Sequence, residues 1–274
     1  MRRKWLKKWS KPLSKDAPAK LALMSAMPQE LSCILERLKA KPIEIGSRTY
    51  WQGTWMGQEV VAVLSRIGKV AAATTVTCLI EHFGVQQVVF SGVAGSLDER
   101  VKVGDVVIAN ALLQHDVDAS PLFPKYEIAL TQKSHFPTDP SLTKTLLAAV
   151  TQCLEEMQNA LLEQGLWQQL GLTSRSIDVH EGLILSGDQF ISSAQKSESL
   201  KQALPNALAV EMECAAVAQV CNDYGVPFAA LRIISDKAND IAHLDFEKFI
   251  DKVAAPFGAH VMEAFVAQRL LAKK

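Results

Sequence analysis

Three carboxylates in this chain fall where a ligand pocket would form. Glu30 follows the apolar run Leu21-Ala22-Leu23-Met24, Glu213 closes Leu208-Ala209-Val210-Glu211-Met212-Glu213, and Asp236 ends the run that starts at Phe228. In sheets built from strand-then-helix units, ligands bind beyond the carboxyl ends of the strands, and a carboxyl group there can give or take a proton. Each of the three has a plainer explanation by itself: Glu30 complements a helix N-terminus, Glu213 opens the following helix, and Asp236 caps a turn. Taken with the small-residue loop Ser91-Gly92-Val93-Ala94-Gly95-Ser96 and with Phe190, they lie at the ends of different strands. That coincidence favours one shared site.

Other chemistries find little support. The six histidines are scattered, and the five cysteines (Cys33, Cys78, Cys153, Cys214, Cys221) are odd in number with no C-x-x-C spacing. Neither a metal site nor a disulfide framework is indicated, and no cofactor is expected. Cys214 and Cys221, among Ala215, Ala216, Val217 and Val220, read as buried helix positions. His115 with Asp116 and Asp118 forms one local polar cluster, read as a hydrogen-bonded strand end. Gly92 and Gly95 lack the third glycine of a dinucleotide fingerprint, and neither a P-loop nor a GxSxG elbow occurs.

The elements that must carry these residues can be read from periodicity. Leu21–Met24 predicts a strand, followed by a helix with Leu31, Ile34, Leu35 and Leu38 on one face, opened by Pro28 and with Glu30 in its first turn. Ile43–Trp55 and Glu59–Leu64 predict strands joined by a Met56-Gly57 turn, and residues 69–83 a helix. Val88-Val89-Phe90 reads as a buried strand entering the 91–96 loop, and Val106-Val107-Ile108 as another strand. From Asp116 to Pro140 the chain is expected to be irregular, with Pro121, Pro124, Pro137 and Pro140 as breakers. A helix over about 141–164 precedes the strand Gly182–Leu185. A short helix, the strand to Glu213, an alanine-rich helix through Cys221, the strand Phe228–Ile234 and a closing helix over about 246–271 complete the order. Repeated strand-then-helix units predict an α/β fold with a mixed, mostly parallel central sheet flanked by helices on both faces, a three-layer sandwich.

Composition limits the partners. With 274 residues, 49% of them hydrophobic and 21% charged, the chain can bury one sizeable core. Residues 1–20 hold eight of the 29 Lys+Arg and one of the 29 Asp+Glu, which leaves 21 basic against 28 acidic residues beyond them. So acidic a body disfavours nucleic acid and suits a small-molecule substrate. The expected organisation is a basic, flexible tail over 1–20 and one catalytic domain over 21–274. Trp5, Trp9 and Leu13 recur every four residues among lysines, which could lay a short helix on an anionic membrane, but a solvated tail is the favoured reading. No run reaches the roughly 20 apolar residues of a membrane span, and the cysteines read as reduced cytosolic thiols, so a cytoplasmic protein is expected.

Longer motifs add a resemblance. Ser186-Gly187-Asp188-Gln189-Phe190-Ile191, Val210-Glu211-Met212-Glu213-Cys214-Ala215-Ala216 and Arg232-Ile233-Ile234-Ser235-Asp236-Lys237-Ala238 are its most specific parts. Ala26-Met27-Pro28-Gln29-Glu30, Ile67-Gly68-Lys69-Val70 and Val103-Gly104-Asp105 also match. From Leu21 onward the chain resembles the 5′-methylthioadenosine/S-adenosylhomocysteine nucleosidases of the purine nucleoside phosphorylase superfamily. The resemblance implies that Asp236, oriented by Ser235, protonates N7 of adenine as the leaving group departs. It implies that Glu30 activates water for attack on C1′, with Glu211 helping to place that water. Met212 and Glu213 would hold the ribose, Phe190 would stack on adenine and the Ile191 backbone would read its edge. Ile67, Val93, Ala94 and Gly95 complete the implied substrate-binding set, with Ala94 and Gly95 permitting close backbone approach.

The resemblance also bears on water against phosphate. Hexameric bacterial phosphorylases carry an arginine and a serine where this chain has Phe90 and Val93, and their Gly-Asp-Pro is Ser25-Ala26-Met27 here. Water is therefore the expected nucleophile; a phosphorylase or hydrolase of another purine nucleoside and a non-catalytic nucleoside-binding member are the alternatives. Departures concentrate between Asp116 and His180, where Pro121-Leu122-Phe123-Pro124 and a longer segment follow; Leu122 or Phe123 is left to line the 5′-substituent pocket. Arg66 stands where a glycine is frequent. A homodimer is implied by the resemblance alone.

Overall fold

A computed structural model describes residues 19–163, 165–169, 176–238 and 246–271, so nearly all of the 1–20 tail, with its membrane reading, lies outside the described residues. The strands are β1 (Leu21–Ser25), β2 (Lys39–Ile45), β3 (Arg48–Trp55), β4 (Gln58–Leu64), β5 (Gln87–Ser96), β6 (Val106–Gln114), β7 (His135–Pro137), β8 (Val179–Ser186), β9 (Ala207–Glu211) and β10 (Phe228–Asp236). The helices are α1 (Pro28–Leu35), α2 (Lys69–Glu81), α3 (Pro140–Glu163), α4 (Leu166–Gln169), α5 (Ala194–Ala203), α6 (Cys214–Tyr224), α7 (Phe246–Phe249) and α8 (Ala255–Leu271), with a π-helical turn, Ile250–Ala254, before α8.

Strand alternation explains why the sheet is buried on both sides. Leu21, Leu23, Val60 and Ala62 enter the core beneath α1, α3 and α8, while Ala22, Met24, Val61 and Val63 enter the one beneath α2 and α6. No helix among the described residues is long and apolar enough to cross a membrane.

The expectation of a mixed α/β core with helices on both faces holds, but the sheet is neither mostly parallel nor a flat middle layer. Five of its described strand pairings are parallel and five antiparallel. The order β10-β6-β8-β9-β5 returns on itself because β5 also pairs β10, closing a barrel-like ring from which β1, β4, β3 and β2 extend. A third apolar cluster, including Leu113, Leu185, Ile191 and Val210, belongs to the closed part.

Two local expectations are corrected. The run Ile43–Trp55 is two strands, because Gly46 turns the chain at φ +60°. Residues 91–96 are not a loop: Ser91–Ala94 pair with Leu231–Ile234 of β10, and Gly95 and Ser96 with Val210 and Ala209 of β9. Their small size at Gly92 and Gly95 makes room for the Arg232 and Asp236 side chains of β10, which press against the strand. The Met56-Gly57 turn, with both residues at positive φ, is found as expected.

Candidate active site

A cleft enclosing about 720 Å³ opens where β1, β5, β8, β9 and β10 end. Ile67, Val93, Ala94, Gly95, Phe190, Ile191, Glu211, Met212, Glu213, Ser235 and Asp236 all line it, so the structure gathers every one of these sequence-derived positions at one place. Ala26, Met27, Gln189 and Val210 join them. Glu30 lies just behind the wall and is 4% exposed.

Helix α1 sets Glu30. Pro28 opens the helix and Glu30 is its third residue, so Oε2 reaches back to accept the Met27 amide at 3.0 Å and the Ala26 amide at 3.2 Å. Capping is thus left to Oε2, while Oε1 is buried and faces Gly92. Burial pushes the carboxyl above the ordinary range, opposed by the Arg232 charge and by the Met27, Ala26 and Val93 amides.

Arg232 is the residue that sequence reasoning missed. It lay inside a quoted motif, but a charged side chain in the apolar run of β10 was itself a signal, since arginine is almost never fully buried unless paired. It is 0% exposed. Nη2 donates to Glu211 Oε2, to Glu213 Oε2 at 3.4 Å and to Cys214 Sγ at 3.1 Å, and the guanidinium carbon lies 4.5 Å from the centre of the Phe90 ring. Nη1 and Nε have no partner among the described residues. A buried acceptor, Glu30 Oε1, and a buried donor, Arg232 Nη1, therefore both reach Gly92.

One guanidinium serves three carboxyl groups, and their ionisation divides accordingly. Burial disfavours the charge of Glu211, but Arg232, the Ser186 hydroxyl and the amides of Cys214 and Glu213 outweigh it and hold the carboxyl below its usual value. Glu213 is pushed up to about 8, by burial first and then by the neighbouring Glu211. Its Oε1 accepts the Gly68 amide at 2.9 Å. Because both oxygens of Glu211 are occupied by Arg232, Ser186 and the Glu213 and Cys214 amides, Glu211 orients its neighbours.

Asp236 ends β10. Ser235 Oγ donates to its Oδ2 at 2.8 Å and the Ala238 amide to Oδ1 at 2.7 Å. Burial raises its pKa against both donors. A Cβ on Gly95 would stand 2.8 Å from Asp236 Oδ1 and 2.9 Å from Ala238 Cβ, so this glycine makes room for the carboxyl group as well as leaving the cleft open. His115 is a strand end, as expected: its amide donates to Ser186 O at 3.0 Å and its ring presses against Gly187. Leu122 is 84% exposed and Phe123 does not line the cleft.

Three buried carboxyl groups, Glu30, Glu213 and Asp236, thus gather at one cleft, as in an enzyme that acts on a small molecule. A family model described as the phosphorylase superfamily matches residues 20–267. The chain belongs, within that superfamily, to the family of 5′-methylthioadenosine/S-adenosylhomocysteine nucleosidases. It is 35% identical over 249 residues to the nucleosidase of that name from Staphylococcus aureus strain JH9, covering 90% of this chain and 99% of the relative. Among solved structures, a Neisseria meningitidis nucleosidase in complex with methylthio-immucillin-A superposes with a TM-score of 0.79 at 29% identity, over 91% of this chain and 99% of that one. A Helicobacter pylori nucleosidase mutant with 5′-methylthioadenosine in its active site gives 0.76 at 33%, over 91% and 99%. A structure described as native futalosine hydrolase of H. pylori strain 26695 gives 0.76 at 34%, over 91% and 98%.

Proposed function

We propose that this chain hydrolyses the N-glycosidic bond of 5′-methylthioadenosine and S-adenosylhomocysteine and releases adenine. The observation that carries this reading is the convergence of Glu30 Oε1 and Arg232 Nη1 beside Gly92, with Asp236 set against the same strand at Gly95. Asp236, whose carboxyl pKa burial raises above its ordinary range, gives its proton to N7, so adenine leaves neutral as C1′ gains oxocarbenium character. Water held between Glu30 and Arg232 attacks C1′ and passes its proton to Glu30. Glu211 fixes Arg232, and Glu213 binds the ribose hydroxyls with Met212 beside them. Phe190 stacks on the base, Ile191 reads its edge through the backbone, and Ile67 faces the 5′-substituent.

Water rather than phosphate is supported by Phe90, which is fully buried under Arg232 and presents no charge to the cleft. Apolar side chains near the mouth, with Ile67 57%, Val70 77% and Phe190 47% exposed, suit a homodimer that covers them. The setting is cytoplasmic nucleoside catabolism and methionine salvage. Adenine release from 5′-methylthioadenosine, assayed with and without phosphate, tests the reading. Equal rates with free 5-methylthioribose as product are expected, and a ribose 1-phosphate product would overturn it.

A further inference from the structure

Beside the cleft, an ion cluster that the mechanism leaves unused joins three segments. Lys69, the first residue of α2, places Nζ 2.5 Å from Asp116 Oδ1 and 3.8 Å from Asp188 Oδ2, with its side chain 14% exposed. Its amide donates to Asp188 Oδ1 at 2.8 Å, and the Asp188 amide donates to Asp116 Oδ2 at 2.8 Å. Burial alone would raise the Asp116 carboxyl, but the Lys69 ammonium and the Asp188 amide bring it below its usual value. The segment after β8 is thus pressed onto His115 at Gly187 and tied at Asp188, two residues before Phe190. The segment before α2 carries Ile67 and donates the Gly68 amide to Glu213.

We propose that Lys69 is a positioning residue whose ammonium, shared by Asp116 and Asp188, latches the base-binding segment 187–191 to the ribose-side segment 67–69, so that base and sugar contacts form as one unit. Lys69 touches neither reacting atom; it acts through Asp188 on Phe190 and Ile191, and through Gly68 on Glu213. Without the cation, Asp116 and Asp188 face each other as like charges across the junction, and the two segments separate. A Cβ on Gly68 would lie 3.2 Å from Asp188 Oδ1, so the segments touch with little slack.

The kinetic arm of this inference rests on the nucleosidase reading; the exchange arm does not. Hydrogen exchange of the full chain without ligand should show segments 67–69 and 187–191 opening together in Lys69→Met, with the amides of β10 unchanged. Asp188→Ala alters a side chain that is 49% exposed and guards against a folding failure of the lysine variant. It should open the same two segments. In both variants the KM for 5′-methylthioadenosine and the inhibition constant of adenine should rise together by about tenfold, the worth of a charge-assisted hydrogen bond, with a smaller fall in kcat. Lys69→Met with Asp116→Asn, which removes the like-charge pair, should recover part of the lost affinity. Exchange that rises in only one segment, or a fall in kcat with KM and adenine affinity unchanged, overturns the latch. Failure of wild type to release adenine sinks the nucleosidase reading instead, leaving the exchange arm to decide on the latch.

Discussion

A Cβ on Gly92 would stand 1.8 Å from Nη1 of Arg232 and 3.3 Å from Oε1 of Glu30. No glycine-specific backbone angle is at issue there; the position is small because two buried charged groups meet on it. Gly92→Ala is expected to destabilise the fold by about 1–3 kcal/mol, as overpacking does, and to depress kcat far more than KM by displacing the arginine. Thermal unfolding and steady-state kinetics check this. An alanine variant with wild-type kcat would show that the Arg232–Glu30 junction does not hold the attacking water.

The acid and the base should fail differently. Asp236→Asn can still donate a hydrogen bond to N7 but cannot deliver a proton, whereas Glu30→Gln leaves the base activated and removes the acceptor for the water proton. Each should lose about a hundred- to ten-thousand-fold in kcat while still binding substrate. A nitrophenyl riboside, whose leaving group needs no protonation, should restore turnover in the Asp236 variant and not in the Glu30 variant. Equal restoration in both would contradict the assignment.

Ser235 lowers the pKa of Asp236 against a larger upward effect of burial. Ser235→Ala removes the opposing donor, so the folded Asp236 holds its proton to higher pH. The alkaline limb of kcat/KM should move upward, and kcat should fall because the carboxyl loses its orienting contact at 2.8 Å. A limb that stays put or moves downward would refute the role of this hydroxyl.

Glu213 carries a stability cost that depends on pH. Burial and Glu211 push its carboxyl from an ordinary 4.5 in the unfolded chain up to about 8 in the folded one, so well below 4.5 it is protonated in both states and costs nothing. As pH rises towards 8, the unfolded state alone gains by ionising, and stability is lost. Glu213→Gln mimics the protonated group, keeps an acceptor for Gly68 and should raise stability by a few kcal/mol at pH 8 and by nothing near pH 4.5. Unfolding midpoints at the two pH values give the comparison, and a gain that is the same at both would exclude this linkage.

The strand-then-helix order and the cluster of strand-end carboxylates were legible because each depends on local pattern: period-two burial in β1, Pro28 before Glu30, Ser235 beside Asp236. Ring closure was not, since it rests on β5 pairing with β10, strands far apart in sequence whose residues read equally well as neighbours of other strands. Residues 91–96 misled for a related reason. Small residues suggest a turn when read along the chain, whereas here they fit Arg232 and Asp236 against the strand from the side. The role of Arg232 needed three partners from β9 and α6, none of which adjoins it in sequence.

The triple partnership of β5, with β1 at its start, β10 along its length and β9 at its end, also orders events during synthesis. On a growing chain β1 is available as soon as β5 emerges, but β10, which covers its other edge, follows only after β6, β8 and β9. Until then an apolar edge stands open, a template for pairing with other chains. Glu30 is made early and Asp236 late, and the late strand that carries Asp236 is the one that seals the edge. Adenine release is therefore expected only once β10 is in place: a product lacking it would carry Glu30 without Arg232 or Asp236, and would need protection from aggregation rather than retain partial turnover.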